Sequence, residues 1–124
     1  MIKLINLEVY KIALEIGDDV YHLVKSWNTF ERDTLGKQFV RNSDSIALNI
    51  SEGYGRYYYK ENKVFCLYSR GSAYESTCCL RKAHSRKLIT DHENAALRAK
   101  YGKYFGLMAG YLKSIGKVKP ISEG

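Results

Sequence analysis

The sequence predicts an all-α protein built as an antiparallel, up-and-down four-helix bundle. The 124 residues include a single proline, Pro120, and 45% of them are hydrophobic. Apolar residues recur at steps of three and four along four long segments, which is the spacing of amphipathic helices. Short connections between such helices favour antiparallel neighbours. A chain of this length forms one core, so we expect a single bundle over residues 1–116 and a flexible tail over residues 117–124.

The first helix is predicted over residues 7–24 and is apolar on more than one side. Gly17 lies inside it, where glycine costs about 1 kcal/mol relative to alanine, and a close crossing with another helix would compensate. The main apolar stripe, which we expect to face the core, consists of Leu7, Tyr10, Leu14, Gly17, Tyr21 and Val24. A second apolar flank lies beside it and consists of Ile12, Ile16 and Leu23. A helix of a monomeric bundle needs only one apolar face, so this flank is a candidate contact with a neighbouring chain.

The second helix is predicted over residues 29–52, with Asn28 as its N-cap and Glu31 at the capping-box spacing. Gly53 is expected to end it in the left-handed conformation. Three polar residues interrupt or adjoin its apolar face: Asn42, Ser43 and Asn49. Polar groups inside a packed face need hydrogen-bond partners. We expect these side chains to bond the backbone of neighbouring helices and so fix their register.

The third helix is predicted to begin near residue 59 or 60 and to end near residue 84. The stripe expected to face the core is Phe65, Tyr68, Ser72, Glu75 and Cys79. Glu75 would then point partly inward and would need a donor such as Arg41 or Asn49. Gly71 and Ser72 would let a neighbouring backbone approach closely.

The fourth helix opens with Thr90 and Glu93, a capping box of the preferred type. It is predicted to end around residues 114–116. Its apolar stripe is Leu97, Tyr101, Tyr104, Met108, Tyr111 and Ile115.

The corner between the second and third helices, residues 45–56, carries the densest polar motif of the chain. Glu52 stands at a helix C-terminus, where a carboxylate is electrostatically unfavourable. A nearby cation such as Arg56 would account for its position. We therefore interpret Asn49 and Glu52 as structural partners of the third helix rather than as catalytic groups.

Positive charge is concentrated in one part of the chain. The formal net charge is +7, of which residues 1–55 contribute −2, residues 56–87 contribute +6 and residues 88–124 contribute +3. A basic segment of this kind is the electrostatic footprint of a nucleic-acid surface or an ordinary solvated helix face, and charge alone leaves both open. The candidate phosphate-binding residues are Arg41, Arg56, Lys60, Lys63, Arg70, Arg81, Lys82, Arg86 and Lys87.

Four tyrosines surround the same corner and combine aromatic faces with cations. They are Tyr54, Tyr57, Tyr58 and Tyr59, beside Arg56 and Lys60. Single-stranded nucleic acid is held by such combinations, through base stacking and phosphate contacts. Packing of the tyrosines against the end of the bundle or another subunit is the competing interpretation.

Several kinds of chemistry lack a matching motif. The three cysteines, Cys66, Cys78 and Cys79, have no Cys-x-x-Cys spacing and are expected to be free thiols. Di-iron bundles use two Glu-x-x-His motifs, and Asp19-x-x-His22 is the single sequence here that partly matches this pattern, so no metal or cofactor is expected. Neither a dinucleotide-binding glycine motif nor a Gly-x-Ser-x-Gly sequence is present. We therefore expect no enzymatic activity and no small-molecule substrate.

The N-terminal sequence has no extended apolar region and no small-residue cleavage site. No run approaches the roughly 20 apolar residues of a membrane span. These features predict a cytoplasmic protein without a membrane partner.

An ordered series of motifs runs through the second and third predicted helices: Leu35-Gly-Lys-Gln38, Arg41, Ser45-Ile46-Ala47, Asn49-Ile-Ser-Glu-Gly-Tyr-Gly-Arg56, Glu61, Phe65 and Gly71-Ser72-x-x-Glu75. The series resembles one bacterial family, the four-helix-bundle proteins encoded in intervening sequences of large-subunit ribosomal RNA genes. The sequence departs from the family pattern at Asn28, where a proline is usual, and at Tyr58, where a serine cap is frequent.

This resemblance implies an up-and-down bundle that assembles as a ring-like homopentamer and has no established enzymatic activity. Members have been described as ribosomal-type proteins, and a related fold serves as a nucleic-acid-binding accessory of a reverse transcriptase. Two functions are therefore expected as alternatives. One is non-specific binding of RNA or DNA by an oligomer with a basic surface, and the other is a protein–protein interaction or scaffold module with no nucleic-acid role.

Overall fold

The computed structural model describes residues 2–116, and within them the fold is all-α with four long helices, as the sequence predicts. A 3-10 turn at Leu4–Asn6 precedes α1, which spans Glu8–Lys25. Helix α2 covers residues 29–54 and includes a π-helical segment at Arg32–Gly36. Helix α3 spans Tyr59–Ser85 and α4 spans Asp91–Ser114. The predicted tail, residues 117–124, lies outside the described residues.

The four helices form an antiparallel ring in which each packs against its neighbours in sequence and α1 also packs against α4. Contacts between α2 and α3 pair rising with falling residue numbers: Ser43 bonds Ser76, and Ile46 bonds Ser69. The same holds between α3 and α4, where Ser69 bonds Tyr104. This is the up-and-down bundle that the short connections predict.

The helix starts follow the predicted caps. Asn28 accepts a hydrogen bond from the Glu31 backbone N–H at 3.0 Å, which confirms it as the N-cap of α2. Thr90 and Glu93 form the complete capping box of α4. Helix α3 begins after Tyr58 without a side-chain cap, at the place where the sequence departs from the family pattern.

The core draws its large side chains from α1, α2 and α4. Ile12 and Ile16 are almost fully buried inside the bundle, so the prediction that they face a neighbouring chain is wrong. The exposed apolar residues of α1 are instead Leu14 and Tyr21. Both belong to the stripe that was assigned to the core, which means that the buried face is rotated from the predicted one.

The buried face of α3 is displaced by about one residue from the predicted stripe. Its buried residues are Cys66, Ser69, Ala73, Ser76, Cys79, Leu80 and Ala83. Glu75 is exposed and makes no hydrogen bond or ion pair with any residue from 2 to 116, so its predicted inward position is wrong. Small residues fit there because Phe39, Tyr101 and Tyr104 fill the space between the helices.

Buried hydroxyl groups connect three helices through the core. The Ser43 hydroxyl donates to the Phe39 carbonyl at 2.7 Å, so Ser76 donates to Ser43, and Tyr101 donates to Ser76. Burial raises the pKa of Tyr101 to about 12, so its hydroxyl stays protonated and able to donate. Ser43 is therefore connected to α3 and α4 through side-chain hydroxyl groups, whereas we expected it to bond the backbone of a neighbouring helix.

A second pair of bonds lies about one turn further along α2 and α4 and two turns away along α3. The Ser69 hydroxyl donates to the Ile46 carbonyl at 2.8 Å and accepts from Tyr104 at 2.6 Å. Asn42 lies beside the Ser43–Ser76 layer and donates to the Cys79 sulfur at 3.7 Å. These bonds satisfy polar groups that would each be costly to bury alone, and they fix the register of α2, α3 and α4.

Two glycines mark close helix crossings. A Cβ atom on Gly17 would lie 2.9 Å from the Asp44 carboxylate, so the close crossing predicted for α1 occurs against α2. Gly53 is buried within α2, where a Cβ would lie 2.9 Å from the Phe65 Cβ. The prediction that Gly53 adopts a left-handed conformation is therefore wrong. A Cβ atom on Gly71 would meet no atom of another described helix within 4 Å, which contradicts the close approach expected there.

Candidate nucleic-acid interface

All nine basic candidates are exposed, but they do not form one continuous patch. One group, Arg56, Lys60 and Lys63, surrounds the start of α3. The other group lies at the far end of the same helix and consists of Arg81, Lys82, Arg86 and Lys87. Residues 60 and 82 are separated by about 33 Å along the helix axis, at 1.5 Å per residue. Arg41 and Arg70 lie between the two ends of the bundle.

The first end of α3 is a clamp whose charge is largely neutralised. The Arg56 guanidinium lies 2.7 Å from the Glu52 carboxylate and 3.5 Å from that of Glu61. It also lies 4.7 Å from the centre of the Phe65 ring. The expectation that a cation accompanies Glu52 is confirmed. Arg56 joins the end of α2 to the start of α3, which leaves it little free charge for a ligand.

Asn49 lies partly inside this corner. The side chain is half-buried and donates to the Ser45 carbonyl of its own helix at 2.9 Å. The interpretation of Asn49 as a partner of the third helix is therefore wrong. Gly53, one turn further on, makes the close contact with α3 instead.

The tyrosines of this corner divide into two pairs. The Tyr54 hydroxyl donates to the Ile2 carbonyl at 2.7 Å, and Tyr59 packs near Gly116. Tyr57 and Tyr58 are more than half exposed, and their rings meet edge to face at 4.9 Å. Two of the four tyrosines thus pack internally, while the other two present aromatic surface to solvent.

The far end of α3, which we call the basic end, comprises Arg81, Lys82, Arg86 and Lys87. None of these four makes an ion pair with a residue that the structure describes. Helix α3 supplies the first two, and the connection to α4 supplies the others. The cations of this end are therefore available to an external anion.

The backbone of the basic end forms a tight C-terminal cap. The Leu88 N–H donates to the Ala83 carbonyl at 2.9 Å, and the Lys87 N–H donates to that of His84 at 3.0 Å. This is a Schellman motif, whose left-handed position is usually glycine. Here the position is Lys87, with φ of 61°. A lysine in this conformation costs about 1–2 kcal/mol, and it is retained at the centre of the charge cluster.

One basic residue near this end was missed by the sequence reasoning. Arg98 of α4 lines a groove between α3 and α4 together with Arg81. The signal was weak because residues 88–124 carry a smaller net charge than the segment before them. Only the packing of α4 against α3 brings the two arginines to one groove.

The three cysteines are free thiols, and two of them, Cys66 and Cys79, are buried. Burial raises the pKa of Cys66 to about 11 and also raises the pKa of Cys79, which disfavours their thiolate forms. Cys78 is exposed. The described residues contain no group of three or more His, Cys, Asp or Glu side chains placed to hold a metal ion. Among the described helices, none is both long and apolar enough to cross a membrane.

The chain is similar to known proteins both in sequence and in structure. Residues 5–110 match the family described as 23S rRNA-intervening sequence protein. A solved structure from Bacteroides thetaiotaomicron, described as a protein with unknown function from the S23 ribosomal protein family, superposes with a TM-score of 0.76. It is 19% identical, and the alignment covers 85% of this chain and 98% of that one. No curated protein matches the chain.

Proposed function

The chain belongs to the 23S rRNA-intervening sequence protein family, and we propose that it binds RNA or DNA non-specifically, as a non-enzymatic protein, through the phosphate backbone. The supporting observation is the state of the candidate cations. Eight of the nine are exposed and make no ion pair with any residue from 2 to 116, the exception being Arg56. Unpaired surface arginines and lysines are the groups that neutralise phosphates.

The basic end is the strongest part of this surface. It places four unpaired cations within seven residues, on the last turn of α3 and its cap. The only acidic residues of segment 56–87, Glu61 and Glu75, lie outside it. Lys60, Lys63, Arg70 and Arg41 supply weaker contacts along the bundle, so a long strand would be held at several points.

Salt dependence of binding tests the proposal. With mixed-sequence duplex DNA, neutralisation of four phosphates gives a slope of about −3.6 for log K against log salt. Fluorescence polarisation with labelled RNA and DNA measures it. Replacing Arg86 and Lys87 by glutamine should reduce the slope by about two. The matched control replaces Lys103 and Lys113, exposed cations of α4, by glutamine.

Two results would overturn the proposal. One is the absence of binding to mixed RNA or DNA at low salt. The other is an equal loss of affinity in the α4 control, because this would mean that net charge rather than the basic end governs binding.

A second candidate function, a homo-oligomeric interaction module, is favoured by exposed apolar residues on opposite sides of the bundle. The outer face of α1 and α2 exposes Leu14 and Leu48, and it contains a groove of about 270 Å³. Asp44 lies in this groove, and burial together with the charge of Asp18 raises its pKa. The acidic, partly apolar face is suited to a basic, partly apolar one.

Such a face lies on the other side of the same bundle. Helix α3 exposes Leu67 and Tyr74, with Lys63 and Arg70 on the same side. Tyr74 packs on Phe105 of α4, which places this surface opposite the α1–α2 face. Two complementary patches on opposite sides make a head-to-tail contact, which closes into a ring or continues as a filament. The homopentamer that the family resemblance implies would be one such ring.

Mixing two interface variants tests this arrangement. Leu48→Glu damages one face and Leu67→Glu damages the other, so each variant alone should be monomeric by light scattering. Mixed together, they should form one-to-one dimers through their intact faces. A wild-type protein that is monomeric at micromolar concentration would contradict the module, and a Leu67→Glu variant that still self-associates would contradict the head-to-tail arrangement.

A further inference from the structure

A groove between α3 and α4 carries polar groups that the bundle itself does not use. It has a volume of about 270 Å³ and opens beside the basic end. Its lining residues are Thr77, Leu80, Arg81, His84, Asn94, Arg98, Tyr101, Gly102 and Phe105. None of them is acidic, and two are arginines from different helices.

Asn94 is the most informative of these residues. Only 9% of it is exposed, yet its side-chain amide makes no hydrogen bond to any residue that the structure describes. No fully buried side-chain polar atom of the described chain lacks a partner, so the Asn94 amide must reach solvent through the groove. An amide without a protein partner keeps its hydrogen-bonding capacity for water or for a ligand that enters the groove.

The two charged side chains that line the groove are both arginines. Arg81 and Arg98 line the groove and form no ion pair within residues 2–116. His84 also lines it, and its Nε2 atom lies 2.7 Å from the carboxylate of Asp91, which is not a lining residue. Two guanidinium groups and an amide N–H are donors suited to the oxygens of a phosphate.

The wall of the groove is open to a compact ligand. A Cβ atom on Gly102 would meet nothing within 4 Å among the described residues. The Thr77 hydroxyl is not a donor for a bound anion, because it already donates to the Tyr74 carbonyl at 2.7 Å. The volume suits one phosphate group and its first substituent, and it is below that of typical drug-sized pockets.

We infer that this groove binds a phosphate monoester, with Asn94, Arg81 and Arg98 as the ligand-contacting residues. Two sources share this chemistry: the terminal phosphate of a nucleic-acid strand and a small free phosphate compound. The strand end deepens the proposed nucleic-acid function and depends on it, because the groove opens beside the basic end. The site differs from backbone binding in its preference for a terminal, doubly charged group.

NMR titration of the full-length protein with inorganic phosphate tests the site directly. The Asn94 side-chain amide and the Arg98 guanidinium signals should shift, and the affinity should fall about tenfold in Arg98→Gln. Lys103→Gln is the matched control, because it removes one exposed charge of α4 outside the groove. Shifts confined to Lys82, Arg86 and Lys87, with the Asn94 amide unmoved, would overturn the inference.

Asn94→Leu supplies a second variant, because it removes the amide without removing a protein hydrogen bond. Phosphate affinity should fall at least several-fold while thermal stability stays the same or rises. Should this variant fail to fold, Arg98→Gln still decides the matter, since Arg98 is exposed.

A pair of oligonucleotides identifies the source of the phosphate. Strands of one sequence with a 5′-phosphate or a 5′-hydroxyl are compared by polarisation. Tighter binding of the phosphorylated strand, lost in Arg98→Gln but not in Lys103→Gln, indicates a strand end. Equal binding of both strands, with the phosphate shifts retained, indicates a free phosphate compound. Failure of the proposed backbone binding would give a different result. Neither strand would then bind, while inorganic phosphate would still shift the Asn94 amide signal.

Discussion

The two ends of α3 use arginine and lysine in opposite ways. At the corner with α2, Arg56 contacts two carboxylates and an aromatic ring, and its charge serves to hold two helices together. At the basic end, four cations have no ion-pair partner among residues 2–116, and Lys87 keeps an unfavourable backbone conformation. The corner has the denser sequence motif, but the basic end has the free charge. Motif density therefore reflects packing here, whereas the proposed nucleic-acid binding depends on unpaired charge.

The largest expected effect belongs to the corner. Gly53→Ala places a Cβ 2.7 Å from the Asn62 side-chain oxygen and 2.9 Å from the Phe65 Cβ. Overpacking of this kind should lower the free energy of unfolding by about 2 kcal/mol, measured by urea denaturation. Gly55→Ala is the control, since its nearest atoms would lie 3.7 Å away. Equal stability of the two variants would show that the corner is not tightly packed.

An opposite effect on stability is expected at the basic end. Lys87→Gly should raise the free energy of unfolding by about 1 kcal/mol, because glycine adopts φ near 61° without a Cβ clash. The same variant should weaken nucleic-acid binding through loss of one cation. Lys87→Ala removes the charge but keeps the strain, so it should weaken binding equally without the gain in stability.

Thermal denaturation and polarisation of both Lys87 variants provide the measurements. A Lys87→Gly variant no more stable than Lys87→Ala would mean that the left-handed position carries no strain, and the contrast between the two ends would then rest on charge alone.

The smallest effect is expected for Arg56→Gln. Its ion pairs are partly exposed and its ring contact is modest, so stability should fall by about 1 kcal/mol or less. Nucleic-acid affinity should change less than in Arg86→Gln, which removes an unpaired cation. Parallel salt titrations of the two variants measure the difference. A larger loss of affinity in Arg56→Gln would place the binding surface at the corner, among Tyr57 and Tyr58.

Much of the fold could be predicted because its signals are local. Helix limits follow from apolar spacing and from caps such as Asn28 and Thr90, which act within four residues. Which side of each helix is buried was less predictable. On α3 the large residues Phe65 and Tyr68 suggested the wrong stripe, since the core accepts Ala73 and Ser76 there.

The candidate site divides in the same way. Its cations and their concentration in residues 56–87, apart from Arg41, are properties of the sequence, and so is their exposure in outline. Their pairing is not, because the neutralisation of Arg56 depends on a contact with Glu61 as well as with Glu52. The groove between α3 and α4 could not be predicted either, because its two arginines, Arg81 and Arg98, lie 17 residues apart in sequence and on different helices.

The sequence by itself determined four amphipathic helices, the N-caps of two of them and the concentration of positive charge in residues 56–87. These properties depend on neighbours a few residues apart, so they can be derived before any packing is known. Only the tertiary structure decided which charged side chains form ion pairs, which glycines are closely packed and which polar side chain lacks a protein hydrogen-bond partner among the described residues. Those properties depend on atoms from different helices, and their positions follow from how the helices pack rather than from the spacing within any one of them.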